Sequence, residues 1–181
     1  MFILQLTEIK MNITAGKYNG QKIIAPDESI TRPTLSKVRM ALFNTLQSLI
    51  DFEGASFLDM FAGSGIMGLE ALSRGFEHVT AIEKNPKVFK ILEDNYKKIG
   101  EKQNLIKGDS LKLTPKEYFD VIYIDPPYYA GVYEQALGVL PEFKIVILEH
   151  TAQIDFLNYE LIKQKKYGDK FLTFIKRAQF S

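Results

Sequence analysis

Two stretches of the 181-residue chain carry residue types and spacings able to do chemistry. In the first, an apolar run from Phe119 to Ile124 ends in Asp125-Pro126-Pro127-Tyr128. Proline has no N–H and cannot continue a β-ladder, so the strand stops there and the turn is stiff. Such a turn presents acceptors, namely the Asp125 carboxylate and nearby carbonyls, beside the flat face of Tyr128, on which a base can stack. The complementary target is a planar group with N–H donors, such as the exocyclic amine of a nucleobase. That amine is a poor nucleophile because its lone pair is delocalised into the ring. Hydrogen bonds from its protons orient it and raise its electron density, and positioning then supplies most of the gain in a displacement. A base in a duplex or folded RNA must leave its stack to enter such a pocket. The plainer reading of the tetrapeptide is a structural turn with a capping acid.

The second stretch is Phe57-Leu58-Asp59-Met60-Phe61-Ala62-Gly63-Ser64-Gly65, followed by the helix-forming Leu69-Glu70-Ala71-Leu72. It reads as a buried strand, a tight turn and a helix. Glycine permits the sharp turn and the close approach of a ligand, and a helix N-terminus offers free N–H groups to negative charge. Gly63 to Gly68 is a literal G-x-G-x-x-G, which by itself fits NAD as well as S-adenosylmethionine. Acids at neighbouring strand ends narrow the choice. Asp59 is placed to fix the loop or to accept from a cationic amine. Glu83 ends a strand over 79–83, where a carboxylate grips both hydroxyls of a ribose. Asp109 ends a strand over 104–109 and can accept from an adenine amine, with the Ser110 amide nearby. Each acid alone is more simply a cap or a surface carboxylate; three at matching strand ends indicate a nucleoside cofactor.

Positioning these residues takes a sheet. Beyond the strands named above, the patterning predicts a hairpin over 12–25 around the Asn19-Gly20 turn signal. It also predicts a helix from the capping Thr34 to about Ile50, with Val38, Leu42, Leu46 and Leu49 on one face. A further helix starts at Pro86 and ends at Gly100. Another spans 133–140, followed by a strand over 144–149. Strands near 159–166 and 171–176 are joined at Gly168-Asp169, too short a link for a parallel crossover. Alternating strands and helices imply an α/β fold, Rossmann-like, with a mostly parallel seven-stranded sheet and a C-terminal antiparallel strand. Ligands in such folds bind beyond the carboxyl ends of the strands, where Asp59, Glu83, Asp109 and Asp125 sit.

Composition sets bounds. An apolar fraction of 46% and a charged fraction of 25% are those of an ordinary globular protein. A net charge of +1 confines any nucleic-acid surface to a local patch. With no cysteine and only His78 and His150, disulfides, a cysteine nucleophile and a Cys/His metal site are out of reach, and no metal is expected. The absence of cysteine fits the cytoplasm. No run approaches the roughly 20 apolar residues of a membrane span. Met11 is a second candidate start, which would make residues 1–10 a mis-called extension. Residues 11–50 then form a hairpin-and-helix arm and 51–181 the main body. Between Gly16 and Arg39, five cations (Lys17, Lys22, Arg32, Lys37, Arg39) face two anions (Asp27, Glu28). That is either a solvated face or an arm that contacts phosphates.

At this point the chain resembles a class I S-adenosylmethionine-dependent methyltransferase. More narrowly, it is similar to the RsmD family, guanine-N2 methyltransferases of bacterial 16S ribosomal RNA. The landmarks are Ile13 to Gly16, Gly20, Arg32-Pro33-Thr34, Val38-Arg39 and Leu42-Phe43-Asn44. Further on come Leu58-Asp59, Phe61 to Gly65, Gly68 to Gly75, Glu83, Asp125 to Tyr128, Glu149 and Tyr167 to Asp169. The D-P-P-Y and glycine motifs are shared by many amino-methyltransferases; R-P-T joined to F-A-G-S-G is the specific part. The resemblance implies that Asp59, Phe61, Ala62, Gly63, Ser64, Gly65, Glu83, Lys84, Asp109 and Ser110 hold S-adenosylmethionine. It implies that Asp125, Pro126, Pro127 and Tyr128 hold the base. Lys17, Arg32, Lys37 and Arg39 would contact 16S RNA in the small ribosomal subunit or its assembly intermediate. Two positions depart from the family pattern: Tyr18 stands where a tryptophan is common and Met40 where an acid is usual. Rival readings are a DNA amino-methyltransferase using the same tetrapeptide, a dinucleotide oxidoreductase, and a non-catalytic RNA-binding assembly factor.

Overall fold

A computed structural model describes residues 9–26, 33–127, 131–151, 153–156 and 158–178. Its elements in chain order are β1 (Ile9–Asn12), β2 (Lys22–Ala25), α1 (Pro33–Gln47), β3 (Ser56–Asp59), α2 (Ile66–Ser73), β4 (His78–Glu83) and α3 (Pro86–Ile99). They continue with β5 (Asn104–Lys107), α4 (Ser110–Leu113), β6 (Phe119–Ile124), α5 (Val132–Gly138), β7 (Phe143–His150), β8 (Tyr159–Tyr167) and β9 (Lys170–Arg177). β1 and β2 form a small antiparallel sheet, and the other seven strands form one sheet in the order β5-β4-β3-β6-β7-β9-β8. Strands β3 to β7 are mutually parallel. β9 runs antiparallel to both β7 and β8. This is the Rossmann-like arrangement expected, with the single reversed strand inserted beside β7.

The strand order carries the functional consequence. From β3 the chain winds outward through β4 to β5, then returns to lay β6 on the other side of β3. The carboxyl ends of β3 and β6 therefore flank the point where the winding reverses, where a crevice opens. The register pairs Asp59 with Tyr123, so Asp125 lies just beyond the end of β3. On β7, Ile147 pairs with Tyr123, and the same step of two residues brings Glu149 level with Asp125.

Alternation along the strands sends side chains into two buried clusters. Phe57, Val121 and Ile145 point to one face, while Leu58, Ile122 and Val146 point to the other. The first face is covered by the N-terminal segment: Met11, Ile13, Ile23, Val38, Leu42 and Leu46 share its cluster. The arm and the sheet thus share a core. Asn95 on α3 reinforces this, accepting from Ile24 N (2.8 Å) and donating to Ile24 O (2.8 Å) and Ser64 O (2.9 Å).

Several boundaries differ from expectation, among them α5, which spans Val132–Gly138 instead of 133–140. α1 stops at Gln47 instead of 50, because the chain tightens there: Leu49 N and Ile50 N both reach Leu46 O (2.9 and 3.0 Å) and Ile50 turns into the core. β5 stops at Lys107 instead of 109, because Asp109 caps the short helix α4 by accepting from Leu111 N at 3.1 Å. The 12–25 hairpin consists of four-residue strands joined by a longer loop over 13–21.

Candidate active site

The glycine turn is built by backbone needs. Gly65 is the N-cap of α2 with φ 82°, and a Cβ there would lie 2.7 Å from the Tyr96 ring. Gly63, with φ 54°, faces open space instead. The loop is tied down by Glu83, whose Oε2 accepts from Gly63 N (2.9 Å) and whose Oε1 accepts from Asn85 N (2.7 Å). Asp109 is paired with exposed Lys84 at 3.0 Å. That hydrogen bond, helped by Leu111 N, holds its carboxyl below the usual range.

Two cavities open on this rim. The larger, about 620 Å³, is lined by Phe61, Gly63, Glu83, Lys84, Asp109, Ser110, Asp125 and Pro127, among others. The smaller, about 270 Å³, is lined by Asp59, Phe61, Ala62, Gly63, Ser64, Tyr123, Asp125, Glu149 and Lys170, and is closed by Met11, Pro26, Val38, Arg39 and Leu42 of the N-terminal segment. Phe61, Gly63 and Asp125 belong to both walls. The glycine loop and Asp125 thus meet at one place, and the sequence-derived cofactor residues divide between the two cavities, except Gly65, which lines neither and packs against Tyr96.

Asp59 is the most informative side chain. It is buried, and neither carboxylate oxygen has a hydrogen-bond partner. Burial pushes its pKa up to about 7, with Glu83 adding repulsion and the Phe61 amide, outside hydrogen-bonding geometry, pulling the other way. Buried polar atoms are almost always satisfied, so an orphaned carboxyl on a cavity wall marks a place for a donor, best a cationic one. Asp125 is half-buried. Burial and then the Glu149 charge push its carboxyl well above the usual range, and Lys170 opposes the shift. Pro126 is buried and Pro127 exposed. Tyr128 lies outside the described residues.

A nucleoside cofactor with a ribose, an adenine and a cationic amino-acid tail fits these walls. Glu83 and Asp109 lie on the larger cavity for the sugar and base, and unsatisfied Asp59 on the adjoining one for the cation. Among the described residues, no group of three or more His, Asp or Glu could hold a metal ion, and no helix is long and apolar enough to cross a membrane.

The structure changes the account of the arm. Arg39 does not present its charge at the surface. It is buried, donates through Nη2 to Asn12 O at 2.9 Å, and pairs through Nε with Glu70 at 3.4 Å. Glu70, fully buried, also pairs with Arg74 at 3.3 Å and accepts from Thr14 N at 2.7 Å. Arg39 thus locks α1 and the β1–β2 loop to α2. Lys37 is exposed. Lys17 is 71% exposed, near Glu101 at 3.7 Å and over the Tyr18 ring. Arg32 lies outside the described residues.

Sequence reasoning named Glu149 only as a family landmark and missed the polar set it forms with Tyr123 and Lys170 on the smaller cavity. Tyr123 Oη donates to Glu149 Oε2 at 2.7 Å, and Lys170 is ion-paired with Glu149 Oε1. Glu149 could have been found as another acid at a strand end. Nothing local marks Lys170, which follows a tight turn and reaches the rim only because β9 lies beside β7.

Comparison with known proteins identifies the family. A family model described as conserved hypothetical protein 95 matches residues 11–176. The ribosomal RNA small subunit methyltransferase D of Buchnera aphidicola is 34% identical over 139 residues, 75% of this chain and 72% of the relative. Its Escherichia coli K12 counterpart is 35% identical over 139 residues, 74% of this chain and 68% of the relative. The solved structure of the Escherichia coli protein yhhF superposes with a TM-score of 0.82 at 25% identity, covering 93% of this chain and 98% of that one. With the family model spanning residues 11–176 and relatives at 34–35% identity over most of the chain, the chain belongs to the conserved hypothetical protein 95 family, the RsmD family of methyltransferases.

Proposed function

We propose that this protein transfers a methyl group from S-adenosylmethionine to the exocyclic N2 amine of a guanine in 16S ribosomal RNA. The RNA would be presented by the small subunit or its assembly intermediate in the cytoplasm. The observation that carries this reading is the sharing of Asp125 by two cavities. One cavity bears the acids suited to a nucleoside cofactor, and the other is a smaller, largely apolar recess whose polar groups include Asp59, Tyr123, Asp125, Glu149 and Lys170, suited to a base. When bound, S-adenosylmethionine supplies an electrophilic methyl on a sulfonium that already carries positive charge.

The chain's own residues do the rest. Glu83 and Asp109 hold the ribose and adenine, with Lys84 and Ser110 alongside. Asp59 accepts from the cationic tail. Phe61, Ala62, Gly63 and Ser64 form the floor between donor and target, and Gly65 turns the chain into α2. Asp125 accepts a hydrogen bond from the target amine, orienting its lone pair toward the reacting carbon; orientation of this kind accounts for much of the rate gain in such displacements. Pro126 and Pro127 keep Asp125 from moving. A carboxyl whose pKa lies above the usual range is matched to take up the proton shed by the methylated, acidic product amine. Tyr128, on the far side of the double proline, stacks on the extruded base. Lys17, Arg32 and Lys37 contact phosphates, Lys17 from the C-terminal ends of α2 and α3 beside Ser73 and Glu101, while Arg39 secures the helix that carries Lys37. The relatives named for the small-subunit RNA favour RNA over DNA as the polymer.

The test is transfer of tritiated methyl from S-adenosylmethionine to undermethylated small subunits, naked 16S RNA and DNA, with the modified nucleoside identified by mass spectrometry. N2-methylguanosine at one site in the small-subunit substrate is expected. Absence of transfer, or transfer to DNA or to another base, would overturn the assignment.

A further inference from the structure

We infer that Lys170, Glu149 and Asp125 together read the Watson–Crick edge of the target base and select guanine. This rests on the methyltransferase reading above and assigns a role to two residues outside its cofactor and base motifs. The argument begins with register. Asp125 follows β6, Glu149 is on β7 and Lys170 begins β9, three adjacent strands. Tyr123 pairs with Ile147 and Glu149 pairs with Leu172. Two residues on from Tyr123 and Ile147, and two back from Leu172, the pleat returns the side chains to one face. Asp125 and Glu149 are therefore level on one face, and Lys170, one step further out on antiparallel β9, reaches back to Glu149, so the three side chains line up across the carboxyl rim.

Contacts confirm the order. Lys170 is ion-paired with Glu149, Glu149 accepts from Tyr123 Oη, and the Tyr123 hydroxyl lies in the field of Asp125. All four line the smaller cavity. Read along the wall, the row is donor, acceptor, acceptor. Guanine's edge is O6, an acceptor, then N1–H and N2–H, both donors, which is the complement in the same order. Adenine and cytosine present a donor and then a ring nitrogen lone pair, which would set an amine against the ammonium and a lone pair against a carboxylate. Such mismatches select by repulsion as well as by lost contacts.

Stability alone does not account for the pair. A buried ion pair is often no more stabilising than well-packed apolar residues, and Glu149 is 6% exposed. Tyr123 holds the other Glu149 oxygen, so the carboxylate is fixed in orientation. Asp125 then acts on the reacting amine, while Glu149 and Lys170 position and identify the ring that bears it.

The experiment compares two substrates that both keep the reacting amine. Small subunits are reconstituted with either guanosine or 2-aminopurine riboside at the nucleotide the wild type methylates; 2-aminopurine lacks O6 and N1–H. Sites built to bond a substrate group reject analogues lacking it strongly, so the wild type should prefer guanosine by at least about 100-fold in kcat/KM. Lys170→Met should lower the guanosine rate at least about tenfold and leave the 2-aminopurine rate within about twofold. Its affinity for S-adenosylmethionine, measured by calorimetry, should not change. Wild-type rates within about threefold of each other, or a Lys170→Met protein that keeps the full preference, would overturn the inference. The wild-type ratio needs no variant, so it decides even if that substitution impairs folding. A wild type inactive on guanosine subunits would instead overturn the methyltransferase reading itself.

Discussion

Replacing Asp59 by Asn should stabilise the ligand-free protein and weaken its grip on the cofactor, two effects of opposite sign from one carboxyl. Asp59 is buried with both oxygens unpartnered, and its pKa stands at about 7 against an ordinary 3.8. A raised folded-state pKa means that, between about pH 4 and about pH 7, the folded protein keeps a proton the unfolded chain has released. Stability therefore falls as pH rises through that window and is lowest above it. At about 1.4 kcal/mol per pH unit the burial of this charge costs about 4 kcal/mol at pH 8, as an upper figure. For a chain of this size that corresponds to about 8–16 °C in Tm. Asparagine removes the charge and keeps the shape. Thermal unfolding of the ligand-free proteins from pH 5 to pH 8 should show the wild type losing Tm with rising pH. Asp59→Asn should lose less and melt higher at pH 8. Some slope should persist, since the Asp125 pKa is raised in the same sense. Calorimetric titration with S-adenosylmethionine should show affinity lower by about 10- to 100-fold, the worth of a hydrogen bond to a charged group. An Asp59→Asn protein that melts lower than wild type at pH 8, or that binds the cofactor equally well, would refute the reasoning.

Asp125→Ala should reduce methyl transfer by at least about 100-fold while cofactor affinity in calorimetry stays near normal; unchanged turnover would remove Asp125 from the chemistry. Glu70→Gln strips the charge that Arg39 and Arg74 share, leaving two buried guanidinium groups short of a counter-ion. Urea unfolding should show a loss of about 3–5 kcal/mol, and a loss under about 1 kcal/mol would mean that solvent reaches the cluster. Lys17→Glu with Lys37→Glu should weaken RNA binding and flatten its dependence on salt, read as a reduced slope of log affinity against log salt concentration. An unaltered slope would show that the arm touches no phosphates.

The parts of the fold legible in the sequence are those in which one local signal suffices. Phe119 to Ile124 reads as a strand because it is apolar apart from Asp120 and is stopped by prolines, and β6 has those bounds. Pro86 and Gly100 bracket α3 because one fits a helix start and the other takes the left-handed turn that ends it, φ 82°. Asp59 and Asp125 were found because each follows a strand with a conspicuous turn. What escaped depends on long-range packing. Arg39 looks like one more cation in a basic stretch; only the approach of α2, bringing Glu70 thirty-one residues later in the chain, takes it inside. Lys170 looks like a hairpin lysine, and only the insertion of β9 beside β7 brings it to Glu149. Asp109 was placed at a strand end on its pattern of apolar neighbours, and the competing preference of an acid to cap a helix won.

The distribution of charge follows from the same packing. A protein that acts on a polyanion is expected to show positive charge, yet net charge here is only +1, and the cavities hold Asp59, Glu83, Asp125 and Glu149. Exposed Lys17 and Lys37 line neither cavity, whereas the cations that do line them are each paired with an acid: Lys84 with Asp109, Arg39 with Glu70 and Lys170 with Glu149. The two populations address different parts of one substrate. Phosphates are attracted outside the cavities, where screening over about 8 Å limits how far the inner carboxylates are felt. Within the recess, partly shielded from bulk water, those carboxylates act more strongly on whatever enters than they would at the surface. A phosphate is repelled there, whereas a base edge rich in N–H donors and a cationic methyl donor are both favoured. Arg39 lines the smaller cavity but is paired with buried Glu70, so it adds no uncompensated positive charge to the recess that holds Asp59 and Asp125.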